Sequence, residues 1–192
     1  MQEITENEMF KLKNKYLKCF DESHNANNVL CSDTKLVIIG TITPKNFDYF
    51  YCSPRNRIFG YIDEVVGSHL KELKIMLNAS KNKSGKQTKI VEIKKILTDN
   101  KIAFVDAMKY VIRDKNKINS HDDTAIKYYS IDENTLKTIK DYSIIICNSR
   151  LSQDIVSKIF NIDKNDLTYI PQRGKNSTKS NWVSGIKEKL YK

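Results

Sequence analysis

The chain has 192 residues and a formal net charge of +10 at pH 7, with 33 lysine and arginine residues against 23 aspartate and glutamate residues. This length is enough for a full hydrophobic core, so the sequence predicts a single domain over residues 1–192. Its apolar runs are far shorter than the roughly 18 residues of a membrane span, and its acidic start is unlike a secretory signal. We expect a cytoplasmic monomer that does not enter a membrane.

The four cysteines and three histidines are scattered along the chain, without the short spacings that metal sites use. This pattern predicts no metal and no cofactor. Cys147 lies in an apolar run and is expected in the core. Cys52 lies in a candidate site loop, where packing is a more frequent role for a cysteine than reactivity.

The first half of the chain predicts helices around one strongly apolar strand. The first 20 residues place apolar side chains at helical spacing, as in an amphipathic helix packed on a sheet. The run Leu36 to Gly40 is short and β-branched without alternation, as in a strand buried on both faces. The polar, basic segment 80–89 is expected to be an exposed connection, with an arm that contacts the DNA backbone as the alternative. Further helices are predicted over residues 55–66, 70–77 and 90–98, and a second strand over residues 102–107.

The second half continues the alternation of strands and helices. Residues 108–130 are highly charged and are predicted to form a long loop, after which Ser130 or Asp132 caps a short helix. Strands that alternate with helices indicate an α/β fold, a three-layer α/β/α sandwich with a central four-stranded parallel sheet. The loops after the strands then meet at one rim, where function is expected. The remaining strands are predicted over residues 142–147 and 167–170, and the remaining helices over residues 151–160 and 181–190.

The segment after the first strand has features of an anion-binding site. Ser53 and Pro54 are typical of an N-cap and a first helical residue, which predicts that a helix begins there. Arg55 and Arg57 would then lie in the first turn, where the helix dipole disfavours cations, and no carboxylate follows at helical spacing. A bound phosphate would resolve this conflict, and pairing with distant carboxylates is the alternative.

Arginine is scarce in this lysine-rich chain, and each arginine follows a predicted strand. Because the planar guanidinium binds phosphate in a way that lysine cannot, the pattern predicts one shared basic face, with chance as the alternative. Arg173 and Lys175 lie in the loop after the fourth strand and are further candidates for phosphate binding. The arginines are Arg55, Arg57, Arg113, Arg150 and Arg173.

Several motifs resemble the uracil-DNA glycosylase superfamily. GTITP and FYCSPRNRIF are similar to two motifs of its hypoxanthine-DNA glycosylase and mismatch-specific branches. In those branches the second of these motifs reads His-Pro-x-Asn-Arg-Phe-Trp. FVDAMKYVIRD, SHDDTAI, IIICNSRLS and YIPQRGKNS resemble later motifs in the same order, so the resemblance covers most of residues 36–182. This chain departs from the motifs at Ser53 (for His), Phe59 (for Trp) and Ser149 (for Gly). Its final loop also lacks an apolar wedge, a side chain that would fill the base stack after a base has left it.

The resemblance implies a DNA partner and removal of a deaminated base, uracil or hypoxanthine, by cleavage of the N-glycosidic bond after base flipping. Asn56 is the candidate for positioning a water molecule or touching the base, and capping of the local backbone is the alternative. An amide cannot remove a proton, so Asp106 or Asp123 is expected to assist; the resemblance places both on family positions.

Base binding is expected from stacked rings and from polar groups. Phe50 or Tyr51 is the predicted stacking residue, because half of the rings between residues 47 and 51 should face the core. Asn148 is expected to pair with the base edge, with helix capping as the alternative. The strand end and the turn after it are expected to hold a base oxygen or a phosphate through Gly40, Thr41, Ile42 and Thr43. The predicted phosphate-binding residues are Ser53, Arg55, Arg57, Arg173 and Lys175.

Two other functions remain open from the sequence. A catalytically inactive domain that binds nucleic acid or modified nucleotides is favoured by the missing histidine and the missing wedge. A hydrolase or transferase for small nucleotides would use the same strand-end loops on a generic doubly wound sheet.

Overall fold

The structure is a computed structural model, and it describes residues 1–43, 47–54, 56–115, 123–172 and 178–192. Three predicted phosphate-binding residues, Arg55, Arg173 and Lys175, lie outside these ranges. The strands are β1 (Gln2–Glu3), β2 (Phe20–Glu22), β3 (Leu36–Gly40), β4 (Ile102–Asp106), β5 (Met108–Arg113), β6 (Ile126–Ile131), β7 (Ile145–Cys147) and β8 (Thr168–Tyr169). The helices are α1 (Glu6–Lys13), α2 (Ile58–Val66), α3 (Leu70–Ala79), α4 (Lys83–Asp99), α5 (Glu133–Lys137), α6 (Arg150–Phe160) and α7 (Lys179–Tyr191).

Four parallel strands form the central sheet in the order β4-β3-β7-β8. They lie where the sequence predicts strands, so the four-stranded parallel sheet is confirmed. The register pairs Gly40 of β3 with Asp106 of β4, and Ile39 of β3 with Cys147 of β7. The carboxyl ends of these three strands are therefore level, and the residues that follow them meet at one edge.

β3 is buried on both faces, as its sequence predicts. Leu36 and Ile38 pack in one core with apolar side chains from α2, α3, α4 and α7. Val37 and Ile39 pack in a second core that includes side chains from α5 and α6. Helices therefore cover both faces of the central sheet, and the three-layer α/β/α sandwich is confirmed.

A second sheet, in the order β1-β6-β5-β2, corrects the prediction of a long loop over residues 108–130. β5 pairs antiparallel with β6 and β2, and only Ala107 separates it from β4. Val111 packs in the second core, whereas Tyr110 and Ile112 pack in a third core with Met9 of α1. Lys109 and Arg113 give β5 a charged sequence, and its pairing with β2 and β6 depends on residues distant in sequence, which explains why the segment was predicted as a loop.

The N-terminal helix is shorter than predicted. α1 ends at Lys13, and its buried residue Met9 packs on the second sheet rather than on the central one. The predicted helical spacing continued to Phe20, but Phe20 begins β2 and packs against Tyr110 of β5. Apolar spacing in this segment therefore reflects two elements that share one core.

The basic segment 80–89 is mostly helical, which corrects the prediction of an exposed connection. α4 begins at Lys83, and the side chain of Asn82 caps it by accepting a hydrogen bond from the backbone amide of Gly85. The first turns of α4 are largely exposed, so they carry no apolar face by which a helix could be recognised.

α2 begins at Ile58, so the predicted helix start at Ser53 and Pro54 is wrong. Arg57 occupies the N-cap position rather than the first turn, and its exposed side chain forms no ion pair with any residue that the structure describes. The carbonyl groups around Pro54 point instead toward Lys74 of α3. The amide of Ile58 donates to Oδ1 of Asn56 instead of the Pro54 carbonyl, so the hydrogen-bond pattern of an α-helix does not extend back to Pro54.

None of the helices in the described part of the chain combines the length and the apolar character that crossing a membrane requires.

Arg113 does not lie on the predicted shared basic face. It ends β5 in the second sheet, where its Nε donates a hydrogen bond to Oδ2 of Asp21 at 2.6 Å. Both side chains are at most 2% exposed. Arg113 therefore serves a buried ion pair and does not line the rim of the central sheet.

We predict that Asp21→Ala lowers the free energy of unfolding by about 3–5 kcal/mol, because it removes one member of a buried ion pair. Urea unfolding measures the change. Glu3→Ala is the matched control, since it removes the exposed pair between Glu3 and Lys158 and should cost about 0–1 kcal/mol. Equal losses in the two variants would contradict a structural role for the buried pair.

Candidate functional site

A pocket opens at the carboxyl edge of the central sheet and has a volume of about 390 Å³. Small-molecule sites span roughly 300–1,000 Å³, so the pocket has the size of a ligand site. Phe50 and Arg57 are the described candidates that do not line it. The predicted site residues that do line it are Gly40, Thr41, Ile42, Thr43, Tyr51, Ser53, Asn56, Asp106, Asp123 and Asn148.

Asp106 ends β4 and is 1% exposed. Its Oδ1 accepts hydrogen bonds from the backbone amide of Thr43 at 2.9 Å and from the Thr43 hydroxyl at 3.1 Å. Its Oδ2 accepts a hydrogen bond from the backbone amide of His24 at 3.0 Å. The Thr43 amide is therefore already used, and it does not fit the predicted role of holding a base oxygen.

Burial raises the pKa of the Asp106 carboxyl to about 6, although its hydrogen bonds with His24 and Thr43 act in the opposite direction. The group therefore titrates close to neutral pH at the wall of the pocket. A carboxyl with such a pKa can give or take a proton under physiological conditions.

Asn25 fixes the backbone on the other side of Asp106. Its Oδ1 accepts a hydrogen bond from the Asp106 amide at 2.8 Å, and its Nδ2 donates to the Asp106 carbonyl at 2.8 Å. Nδ2 also donates to Oδ2 of Asp132, the residue that caps α5, at 2.7 Å. Because these bonds are buried and mutually satisfied, they hold Asp106 in one position.

Asn56 lines the pocket and also caps a helix. Its Oδ1 accepts a hydrogen bond from the backbone amide of Ile58, the first residue of α2, at 2.9 Å. The capping alternative is therefore present in the structure. Its Nδ2 donates to none of the described residues, so this amide group can still donate a hydrogen bond within the pocket.

α3 supports the turn that carries Asn56. The side chain of Lys74 is nearly buried, and burial lowers its pKa. One turn later, Asn78 donates a hydrogen bond to the Cys52 carbonyl at 2.8 Å. Both side chains thus hold the backbone of residues 52–54 and of Asn56. Nζ of Lys74 donates to three carbonyl oxygens, those of Ser53 at 3.4 Å, Pro54 at 3.5 Å and Asn56 at 2.5 Å.

Asn148 follows β7 and contributes a carboxamide to the pocket. Its Nδ2 donates a hydrogen bond to the hydroxyl of Tyr51 at 2.8 Å. Tyr51 has a φ of 55°, in the left-handed region that bulky residues rarely adopt. A Cβ on Gly40 would lie 2.7 Å from the Tyr51 hydroxyl oxygen, so the glycine at the end of β3 makes room for this contact.

Asp123 reaches the pocket from the turn before β6. Its Oδ2 accepts a hydrogen bond from the Thr41 hydroxyl at 2.9 Å, and the Thr41 and Ser149 hydroxyl oxygens are 2.7 Å apart. Ser149 also caps α6. Asp123 is half-buried, so it is a second carboxylate in the pocket that remains closer to water than Asp106.

The aromatic rings between residues 47 and 51 divide between the pocket and the core. Tyr49 and Phe50 are fully buried, with their ring centroids 5.2 Å apart. Phe50 faces the core and does not fit the predicted role of stacking on a base. Phe47 and Tyr51 line the pocket instead.

Residues that the sequence analysis did not assign to the site also line the pocket. Arg150 begins α6, and its guanidinium carbon lies 4.0 Å from the ring centroid of Tyr169 in β8. The sequence analysis placed Arg150 on the shared basic face, though not among the site residues, because it follows the third predicted strand. Tyr169 gave no signal beyond its place at a strand end. The other unassigned lining residues are Phe47, Cys52, Ser149, Pro171 and Gln172.

Cys52 has the properties of a packing residue. It is 1% exposed, and burial raises the pKa of its thiol to about 12. The thiol is therefore protonated at neutral pH and is a poor nucleophile. In the described ranges, no three His, Cys, Asp or Glu side chains come together in a group that could hold a metal ion.

No protein-family model matches the sequence, and no curated protein matches it. Among solved structures, the chain is similar to the solution NMR structure of a "putative Uracil DNA glycosylase" from Methanosarcina acetivorans. The TM-score is 0.52 and the sequence identity is 16%, and the match covers 84% of this chain and 94% of that chain. The two proteins share a fold. This likeness supports the α/β architecture that the motifs imply.

We predict that Lys74→Met destabilises the protein by about 1–3 kcal/mol, because it keeps the aliphatic stem but removes the ammonium donor that bonds the carbonyl groups of Ser53, Pro54 and Asn56. Urea unfolding measures this loss. Lys71→Met is the control on the same helix, where the side chain is exposed, and we expect a change within about 0.5 kcal/mol. A control loss as large as that of Lys74→Met would contradict the support that α3 gives to the turn.

A second prediction concerns pH. The folded-state pKa of Asp106 is raised to about 6 from 3.8, so its protonation stabilises the folded state. This stability is fully present below about pH 3.8, is lost as the pH rises through about 6, and amounts to about 3 kcal/mol. Asp106→Asn should flatten this part of the curve of unfolding free energy against pH. An unchanged slope in the variant would contradict the assignment.

Proposed function

We propose that the chain is a DNA glycosylase-like enzyme that cleaves the N-glycosidic bond of a deaminated base, uracil or hypoxanthine, flipped out of DNA. The observation that carries this proposal is that Asn56, Asp106 and Asn148 line one pocket at the carboxyl edge of the sheet. The shared fold with a "putative Uracil DNA glycosylase" and the net charge of +10 support it. The ordered motifs favour the hypoxanthine-DNA glycosylase or mismatch-specific branches.

The pocket suits one flipped base. Its volume of about 390 Å³ lies in the range of small-ligand sites. Tyr51 and Phe47 offer rings on which any base can stack, and Asn148 offers a carboxamide for the base edge. The backbone around Thr41 and Ile42 adds polar groups at the end of β3, in place of the Thr43 amide that Asp106 occupies.

The residues also suit cleavage of the bond between C1′ and the base. The electron pair of that bond leaves with the base, and a donor such as Nδ2 of Asn148 stabilises the charge on the departing base. The carboxylates of Asp106 and Asp123 stabilise the cationic sugar. A water molecule oriented by Nδ2 of Asn56 then adds to C1′, and its proton passes to a carboxylate.

Phosphate groups would contact the basic side chains around the pocket. Arg57 is exposed directly after Asn56, and the Arg150 guanidinium contacts the Tyr169 ring at the pocket wall. A guanidinium in a fixed orientation can bind a phosphate with two parallel hydrogen bonds. Ser53, half-buried in the pocket lining, can add a hydroxyl donor.

A catalytically inactive base-binding domain is the second candidate. Both carboxylate oxygens of Asp106 already accept hydrogen bonds from the protein, and Oδ1 of Asn56 is used by α2. Ser53 stands where the resembling motifs have histidine, so that position offers no imidazole for proton transfer. These observations favour binding without turnover.

The decisive experiment incubates the protein with DNA duplexes that contain uracil, hypoxanthine, xanthine or a thymine mismatch, followed by alkaline cleavage at abasic sites. Strand breaks at the modified position support the enzyme. Base-selective binding without strand breaks supports the inactive binder. Hydrolysis of free nucleosides without salt-dependent DNA binding would instead support a small-nucleotide hydrolase.

We predict that Asn56→Ala abolishes excision and also costs about 0.5–2 kcal/mol of stability, because it removes the donor and the helix cap together. Asn56→Asp separates the two roles. Its carboxylate can still accept from the Ile58 amide near the positive end of α2, but it lacks the Nδ2 donor. We therefore expect Asn56→Asp to fold with near-normal stability and to lose excision. Wild-type excision rates in Asn56→Asp would remove Asn56 from the proposed mechanism.

A further inference from the structure

We propose that the Tyr51 hydroxyl determines which bases the pocket accepts, because it fixes the direction of the Asn148 carboxamide. The accepted bases carry a ring N–H beside a carbonyl group, and the rejected bases carry an unprotonated ring nitrogen beside an amino group. The inference rests on the proposed base-binding function of the pocket, and it names a substrate class and a residue for that site. Tyr51 is a positioning residue here, since it acts through Asn148.

The first observation is an unused acceptor in the pocket. Asn148 is 6% exposed and lines the pocket, and its Nδ2 donates to the Tyr51 hydroxyl at 2.8 Å. Its Oδ1 accepts no hydrogen bond from the residues that the structure describes. Because Asn148 lines the pocket, this unused Oδ1 is available to accept a hydrogen bond from a donor on a bound ligand.

The second observation concerns the direction of the carboxamide. Burial, together with nearby Asp106 and Cys147, raises the pKa of the Tyr51 hydroxyl well above its ordinary value, so the hydroxyl keeps its proton. The negative charge of Asp106 favours a hydroxyl whose proton points toward the carboxylate and whose lone pairs point toward Asn148. The reversed carboxamide would place Oδ1 against those lone pairs, which is unfavourable.

The third observation is that the local structure is arranged around this one contact. The backbone of Tyr51 is held at a φ of 55°, and strained conformations of this kind cluster at functional sites. The ring packs edge-on against Phe104 with the centroids 4.7 Å apart, which sets its depth. Gly40 has no Cβ, which leaves the space that the hydroxyl occupies.

The fixed carboxamide distinguishes bases by the hydrogen-bonding groups on their edge. With one Nδ2 hydrogen used by Tyr51, Asn148 presents Oδ1 as an acceptor beside its remaining Nδ2 hydrogen as a donor. Uracil, hypoxanthine and xanthine offer the complementary pair of a ring N–H and a carbonyl oxygen. Cytosine and adenine offer the reversed pair, which would set acceptor against acceptor and donor against donor. A buried site built to pair with one group rejects the analogue that lacks it.

The experiment measures base discrimination by binding, so it does not depend on turnover. The probes are DNA oligonucleotides that contain one uracil or one cytosine on a 2′-fluoro sugar, which resists cleavage. The measured quantity is the ratio of the dissociation constants of the cytosine and uracil probes. Tyr51→Phe removes the hydroxyl alone. Tyr49→Phe is the matched control in the same segment, because the buried Tyr49 hydroxyl has no hydrogen-bond partner among the described residues.

We expect the wild type and Tyr49→Phe to prefer the uracil probe, and Tyr51→Phe to lose at least about tenfold of that preference, as expected for one buried hydrogen bond of about 1.4 kcal/mol. Gly40→Ala should have the same effect, because its Cβ displaces the hydroxyl while Tyr51 and Asn148 remain. Thermal unfolding verifies that each variant is folded. A wild type without preference, or an unchanged ratio in both Tyr51→Phe and Gly40→Ala, overturns the proposal.

The experiment distinguishes a failure of this inference from a failure of the proposed function. Selective binding that Tyr51→Phe abolishes, without excision by the wild type, supports this inference and removes the enzyme. Excision of uracil with the same discrimination in Tyr51→Phe supports the enzyme and overturns this inference.

Discussion

The buried carboxylate of Asp106 is the constraint on which the site depends. Its two oxygens accept hydrogen bonds from Thr43, after β3, and from His24, in the N-terminal segment. The backbone of Asp106 is held in turn by Asn25, which also binds Asp132 at the start of α5. One residue at the end of β4 thus joins segments that are far apart in sequence. The energetic cost of burying its charge appears as the raised pKa of this carboxyl.

The central sheet could be predicted because its strands are short, apolar and separated by clear helical segments. Leu36 to Ile39 alternate between two cores, and a run that is apolar at every position has that arrangement as its simplest explanation. The second sheet could not be predicted in this way. β5 is buried on both faces between charged neighbours, and its pairing with β2 and β6 depends on contacts distant in sequence. Helix limits also failed where a side chain takes the backbone amide, as Oδ1 of Asn56 does at the start of α2.

The position of the site could be predicted better than the contacts within it. The rule that parallel strands direct their following loops to one edge brought Asn56, Asp106 and Asn148 into one pocket. The same rule says nothing about which polar atoms are already used. Oδ1 of Asn56 caps α2, and the Thr43 amide serves Asp106. Phe50 shows the same limit, because only the folded backbone decides which rings of a loop face the core.

Only Ala107 connects β4 to β5, so the central sheet and the second sheet meet beside the pocket. The amide of Ala107 donates to the Gly40 carbonyl at 2.8 Å, and its carbonyl accepts from the Asp132 amide at 3.0 Å. These two hydrogen bonds and the one-residue connection join the two sheets closely beside the pocket. A bulky occupant would more readily displace the wall formed by Cys52 and Ser53, whose backbone is held on α3 by side-chain hydrogen bonds from Lys74 and Asn78. The width of the pocket entrance therefore depends on how far the backbone of Cys52 and Ser53 can move away from the sheet edge.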